Sequence, residues 1–426
     1  MKSKINLLFA VLFSVVALMC FSSSVFALTE GDWEYRPTGD EITITNYFGG
    51  GGDVVVPSEI AGKPVTKIEV TGLFSKANSV TFPGSIKSIF AAINDFEGRE
   101  KLTSVILPEG LEEIGGGVFK GCSNLKSIKI PATVKKLAGG AFSDSGLVSV
   151  DLSYLNAELG QLLFSNCYNL ESVLLPDMES IPLQMFHNCV SLKKMEIPYS
   201  VKKISSGAFD GCTSLTQIIL PINLKSGCTF RRCENLREIL FPVGTTDISG
   251  DPFYGCVNLK SVYIPSSVVR FADMIIRDDC IVYCAKNSAC EEYCQKRKIP
   301  YIIDNSVDTN INVLYNNSRI SFHEYNQNPE LIEGRTLVPL RAIFEAMKAE
   351  VDWDGNTSTV TAKRGDIAIS IQIGANVMYK NGVAIPVDVP AQLINGRTMV
   401  PVRVIAESFG ADVQWNGNGN VVLITE

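Results

Sequence analysis

Twelve cysteines and two histidines are the residues of this 426-residue chain best suited to metal or redox chemistry, and their spacing limits both. His187 and His323 stand far apart in the sequence, which leaves no pair for a multi-histidine metal site and little for histidine acid–base catalysis. Cys122, Cys167, Cys189, Cys212, Cys233 and Cys256 each occupy the third position after a phenylalanine. A position that recurs in this way is a packing position, where a small apolar thiol meets its counterparts above and below, so these six are expected to be buried free thiols. Cys280, Cys284, Cys290 and Cys294 fall outside that register and form a tight C-x3-C-x5-C-x3-C cluster. A helix over 288–297 would place Cys290 and Cys294 on one face, with Cys280 and Cys284 approaching from the preceding strand and turn. Plain packing, a disulfide and a four-thiolate zinc site all remain open there, although the spacing lacks the C-x2-C pair of zinc ribbons. Packing without metal is the expectation.

Other constellations read as structure. Arg341 with Glu345, and Arg403 with Glu407, have the i, i+4 spacing of surface ion pairs on a helix, each worth about 0.2–0.5 kcal/mol. Asp352, Asp354 and Asn356 alternate like the start of a calcium loop, but the glycine at the sixth position and the glutamate at the twelfth are missing, so a hairpin turn is expected. Gly49 to Gly52 lack the Lys and Ser/Thr of a phosphate loop and read as a flexible turn. No catalytic or cofactor-binding residue is expected.

The elements that would position any site follow from composition and periodicity. Hydrophobic residues make up 46% of the chain, and 45 Asp+Glu face 38 Lys+Arg, for a net charge of -7. That length suits two or three domains. The acidic balance offers no footprint for nucleic acid, since the only basic run is the QKRK at 295–298. Residues 1–27 carry Lys2 and Lys4, an apolar stretch from Ile5 to Phe21 and a small-residue exit at Ala27, the pattern of a cleaved signal peptide. A retained membrane anchor and a lipid anchor at Cys20 are weaker readings, because Ser22 to Ser24 interrupt the stretch and Met19 is bulky. Removal of the leader takes Cys20 with it and leaves an odd number of cysteines, no transmembrane anchor and an exported, secreted or cell-surface chain.

A period of roughly 22 residues then fills the larger part of the chain. Phe74, Phe96, Phe119, Phe142, Phe164, Phe186, Phe209, Phe230 and Phe253 recur at nearly even spacing, and the units read F-x-x-C-x-x-L-x-x-[IVM]-x-[IL]-P. Such a period predicts a solenoid with one short strand per turn. In Leu125 to Pro131, Leu125, Ile128 and Ile130 point inward, Lys126, Ser127 and Lys129 outward, and Pro131 ends the strand. At these residues the sequence resembles the BspA-type leucine-rich repeat proteins, secreted or cell-surface bacterial proteins, over roughly residues 31–305. The resemblance extends to an amino-terminal cap and to a closing strand and helix at 280–304. The units at Phe74, Phe96 and Phe142 depart from the pattern and are expected to continue the stack with local distortion.

From about Asn305 a second repeat replaces the first. EGRTLVPLRAIFEAMKAEVDWDGNTSTVT and NGRTMVPVRVIAESFGADVQWNGNGNVVL align without a gap, so that Gly334 matches Gly396, Arg341 matches Arg403 and Trp353 matches Trp415. In each half Pro339 or Pro401 opens a helix, whose apolar positions Leu340, Ile343, Phe344 and Met347, or Val402, Ile405, Ala406 and Phe409, share one face. A strand ending at Trp353 or Trp415, a turn and a further strand follow. This segment resembles the copper amine oxidase N-terminal domain family, with Lys348 in place of a usual glycine. The resemblance carries neither copper nor oxidase activity here, because the catalytic histidines belong to a separate domain. The fold expected is a β-rich leucine-rich-repeat solenoid over 28–305, followed by a small α+β domain over 306–426.

Function is then expected on the outward strand face. The outward residue just before the last inward one is Ile106, Lys129, Asp151, Leu174, Glu196, Ile219, Leu240 and Tyr263 in successive turns. Of these, Leu174, Glu196, Ile219, Leu240 and Tyr263 are the candidate binding residues, with an apolar stripe over the last three. Coverage of that stripe by a neighbouring cap is the competing reading. The function expected is adhesion or binding to an extracellular protein or surface ligand, without cofactor. The alternative is a cell-wall or carbohydrate-binding module in which Trp353 and Trp415 face sugar rings. A scaffold role for a separate oxidoreductase is disfavoured, since no cofactor motif is visible.

Overall fold

The computed structural model describes residues 27–71, 73–91, 99–227, 229–248, 250–271, 274, 276–325 and 327–426. The expected signal peptide and Phe96 lie outside the described residues, apart from Ala27. Strands Leu28–Glu30, Trp33–Thr38 and Glu41–Tyr47 form an antiparallel cap, and Lys63–Thr71 pairs in parallel with the last of them to start the solenoid. About 11 turns follow.

Each turn contributes up to two short parallel strands, in two separate columns. One column runs through Ser88–Ala91, Glu113–Ile114, Lys136–Leu137 and Glu158–Leu159, and resumes from Ser180–Ile181 to Arg270–Phe271. The other contains Ala77–Thr81, Ser104–Ile106, Ser149–Asp151, Ser172–Leu174, Lys194–Glu196, Gln217–Ile219, Glu238–Leu240 and Ser261–Ile264. The stretch after Leu125 keeps the expected alternation, with Ile130 buried, Ile128 half-buried and Lys126, Ser127 and Lys129 exposed, but forms no strand. Its continuity with the next turn rests on such bonds as Val148 N–H to the Lys126 carbonyl.

Between the columns the phenylalanines stack. Phe119, Phe142, Phe164, Phe186, Phe209 and Phe230 lie 5.5 to 5.9 Å apart, centroid to centroid, tilted by 9 to 15°. At the second position after each of these rings, and after Phe253, the backbone turns left-handed, at Gly121, Asp144, Asn166, Asn188, Gly211, Arg232 and Gly255, which explains why Gly and Asn dominate that position. Asn188 Nδ2 donates to Asn166 Oδ1, and Asn166 Nδ2 to Asp144 Oδ1, each at 3.0 Å, so the turn residues also form a ladder. The next residue is the cysteine, except after Asp144, where it is Ser145. Cys167, Cys189, Cys212, Cys233 and Cys256 donate their thiols to the carbonyls of Phe142, Phe164, Phe186, Phe209 and Phe230, at 2.9 to 3.2 Å. The thiol thus fills a small space in the core and also satisfies a carbonyl of the preceding turn.

The solenoid closes with Ile281–Cys284, the helix Ala289–Arg297 and Tyr301–Ile303. Ser288 caps that helix by accepting from the Glu291 N–H, and Lys298 ends it at φ 57°. The carboxy-terminal domain has its own core. Strands Arg335–Pro339 and Arg397–Pro401 pair antiparallel with Val338 opposite Val400, which are equivalent residues of the two repeats, so the halves are arranged about a local two-fold at that pair. Helices Leu340–Ala346 and Val402–Ser408 begin immediately after the prolines, which end the strands rather than open the helices. The expected apolar faces are buried, and Phe344 meets Phe409 edge-on at 5.9 Å across the two halves.

Candidate interaction surface

The outward positions of the second column fall into two groups. Val55, Thr81 and Ile106 stand in register on neighbouring strands, and Asp151 stands beside Leu174. Val55, Ile106 and Leu174 are 71%, 59% and 51% exposed. Beyond Leu174 the column is progressively covered by the carboxy-terminal domain. Glu196 Oε1 receives Nδ2 of Asn416 and Asn418 at 3.3 and 3.4 Å. The Ile222 N–H donates to the Asn418 carbonyl at 2.8 Å. Ile219 and Leu240 border Leu314, Gly419 and Val421 around a gap of only about 20 Å³. At Gly419 an added Cβ would lie 2.4 Å from Ile219 Cγ2 and 3.1 Å from the Leu220 carbonyl, so only glycine permits this approach.

Tyr263 is buried at the centre of the junction. It stacks on Tyr283 at 4.6 Å and lies under the Arg319 guanidinium at 4.8 Å. Arg319 also donates to Asp304 Oδ2 at 3.1 Å, Asn312 Oδ1 at 2.9 Å and the Ser306 carbonyl at 2.7 Å. Both partners of the Arg319–Asp304 pair are 1% exposed. Glu238 accepts the Arg319 backbone N–H, and burial pushes its carboxyl up to about 7 against the opposing pull of Arg319.

The apolar stripe expected at Ile219, Leu240 and Tyr263 is therefore not free surface. It is the seat of the second domain: the Trp415 hairpin covers Ile219 and Leu240, while Tyr263 is covered by Arg319 and by Tyr283 of the solenoid's own closing strand. Glu196 lies at the edge of this seat and Leu174 beyond it. The sequence reading missed Arg319, Asp304 and Glu238; an arginine and an aspartate flanking a domain boundary were the only signal for them.

The thiols follow from the same packing. The six repeat cysteines are buried and free, and burial pushes Cys167 up to about 11 and Cys122 and Cys256 up to about 12, so the nucleophilic thiolate is suppressed. Cys280, Cys284, Cys290 and Cys294 are buried free thiols, and among the described residues no three His, Cys, Asp or Glu converge as a metal set. The expected i, i+4 ion pairs are not formed. Glu345 instead accepts the Tyr325 hydroxyl, while Arg403 and Glu407 lie in an open cleft of about 820 Å³ with Trp415. Trp353 and Trp415 are 49% and 43% exposed, on hairpins outside the core.

Comparison with known proteins agrees with this architecture. Residues 65–171 and 157–282 match the BspA type leucine rich repeat region, in six copies, which together span more than half of the chain. Residues 315–424 match the copper amine oxidase N-terminal domain, which is not the catalytic part of such oxidases. No curated protein gives a significant match. Among solved structures, the chain is similar to a leucine rich cell surface protein from Faecalibacterium prausnitzii, 24% identical, covering 61% of this chain and 76% of that one with a TM-score of 0.50. It is also similar to a leucine-rich repeat protein from Bacteroides ovatus, 20% identical, over 68% and 85% of the two chains, with a TM-score of 0.49. The first of these likenesses concerns the fold alone.

Proposed function

Since the chain belongs to the BspA type leucine rich repeat family, we propose that it is a secreted or cell-surface binding protein, non-enzymatic, whose solenoid makes contact with an extracellular protein or surface ligand. The observation that carries this reading is the free half of the strand column. Val55, Ile106 and Leu174 project outward from three turns of the stack, on the part of the face that the second domain leaves open, where they can serve as apolar anchors for a partner. The carboxy-terminal domain serves as an accessory module, and by covering Ile219, Leu240 and Tyr263 it also sets where the free surface ends.

The test uses residues 28–426 against a panel of extracellular and host proteins and purified cell wall. Ile106→Ser with Leu174→Ser should weaken protein binding at least tenfold without lowering the melting temperature, because both side chains are exposed. Unchanged binding by this double variant would refute the assignment of the surface. A second reading, wall or carbohydrate binding, draws on the exposure of Trp353 and Trp415. It predicts that Trp353→Ala with Trp415→Ala abolishes wall binding while the domain stays folded.

A further inference from the structure

The two halves of the carboxy-terminal domain differ at one connection. The hairpin turn at Asn316–Asn317, flanked by the pair Tyr315–Ser318, corresponds to the turn at Asn381–Gly382, flanked by Lys380–Val383. The strands that follow, Glu330–Ile332 and Gln392–Ile394, also correspond, but Gln392 lies closer to its hairpin than Glu330 does. The first half thus has the longer connection between these points, and that connection carries the 3-10 turn His323–Tyr325. Phe322 and Val387, which match when the two hairpins are aligned, are both buried in the shared core.

Tyr325, supplied by the longer connection, bridges the two halves. Its hydroxyl donates to Glu345, and its carbonyl accepts from Arg397 Nε at 2.9 Å. The internal repeat carries Glu345 to Glu407, Arg397 to Arg335, Arg341 to Arg403 and Trp353 to Trp415. These four counterparts line the open cleft of about 820 Å³, whose apolar wall includes Val402 and Val422. The shorter connection provides no tyrosine there. Glu407 and Arg403 make no side-chain hydrogen bond or ion pair among the described residues, and Arg335 turns to Asp388 in a half-exposed pair of the kind that contributes little in water.

We infer that this cleft binds a tyrosine-bearing peptide segment of a partner protein, in the manner in which Glu345 and Arg397 hold the chain's own Tyr325. The phenol donates to Glu407, the tyrosine's carbonyl accepts from Arg335, and the ring lies between Trp415 and the apolar wall. The site is separate from the solenoid surface proposed above, so Ile106→Ser with Leu174→Ser serves as a control that leaves it intact.

The probe is the capped peptide Ser-Phe-His-Glu-Tyr-Asn-Gln, residues 321–327 of this chain, titrated calorimetrically into residues 28–426. The expected result is saturable binding, about tenfold weaker when the peptide tyrosine is replaced by phenylalanine, since a hydrogen bond to a charged group is lost. Glu407→Gln, at an exposed position, should weaken the tyrosine peptide by a similar factor and leave the phenylalanine peptide unchanged. That coupling distinguishes contact from a merely structural effect. Absence of saturable binding up to the peptide's solubility limit overturns the proposal. So does equal affinity for the two peptides, or binding of an N-acetylglucosamine tetramer that depends on Glu407 when the peptide does not bind.

Discussion

Replacement of Arg319 by methionine tests whether the junction between the two domains rests on a buried ion pair. The guanidinium contacts Asp304, Ser306 and Asn312 and covers Tyr263, while Asp304 is 1% exposed. Methionine keeps most of the side-chain volume and the backbone N–H that Glu238 accepts, but leaves the Asp304 carboxylate buried without its cation. Ser306 and Ser321 still donate to Asp304, yet they carry no charge. Removal of one member of a buried pair costs about 3–5 kcal/mol, against no more than about 1 kcal/mol for an exposed pair. For a domain of this size that corresponds to roughly 10 °C in its melting transition. Denaturant unfolding of Arg319→Met, Asp304→Asn and the double variant gives the coupling directly. Asp304→Asn with Arg319→Met should recover about half of the loss, since the orphaned charge is gone. A loss below about 1 kcal/mol in Arg319→Met would refute the reasoning, because it would mean that water reaches Asp304 and the junction is open in solution.

Further consequences concern the same junction and the core. Glu238 holds its proton up to about pH 7 in the fold, against 4.5 unfolded, so stability falls as pH rises from 4.5 through 7, by up to about 3 kcal/mol. Thermal melts across this range should show the slope, and Glu238→Gln should flatten it. Gly419→Ala places a methyl group against Ile219 and the Leu220 carbonyl, which should cost about 1–3 kcal/mol of docking and speed hydrogen exchange at the Ile222 amide. Undiminished protection there would show that the hairpin yields. The six repeat cysteines, buried and with thiolates suppressed, should resist a thiol reagent at mildly alkaline pH in the native protein and react together on unfolding. Rapid native labelling of Cys212 or Cys233 would contradict the stacked core.

The phenylalanine period by itself determined the solenoid, its inward residues and the packing role of the thiols, because a solenoid repeats one local environment at each turn and the same residue types must recur there. The second repeat likewise determined the two half-domains and their helical faces. The left-handed turn after each phenylalanine was written in the sequence as Gly or Asn, but Asp144 and Arg232 obscured it. The extent of free surface was decided only by tertiary structure. Ile219, Leu240 and Tyr263 look no different in sequence from Leu174, and what separates them is the docking of Asn416 to Val421 over the first two and of Arg319 over the third, all from the second domain. Contacts of that kind depend on the shapes of two finished surfaces rather than on any period. The same holds for Glu345, whose i, i+4 partner was plain in sequence, yet which accepts from a tyrosine that a longer connecting loop brings into reach. Local pattern specifies which face of an element is apolar, and only the assembled fold specifies what covers it.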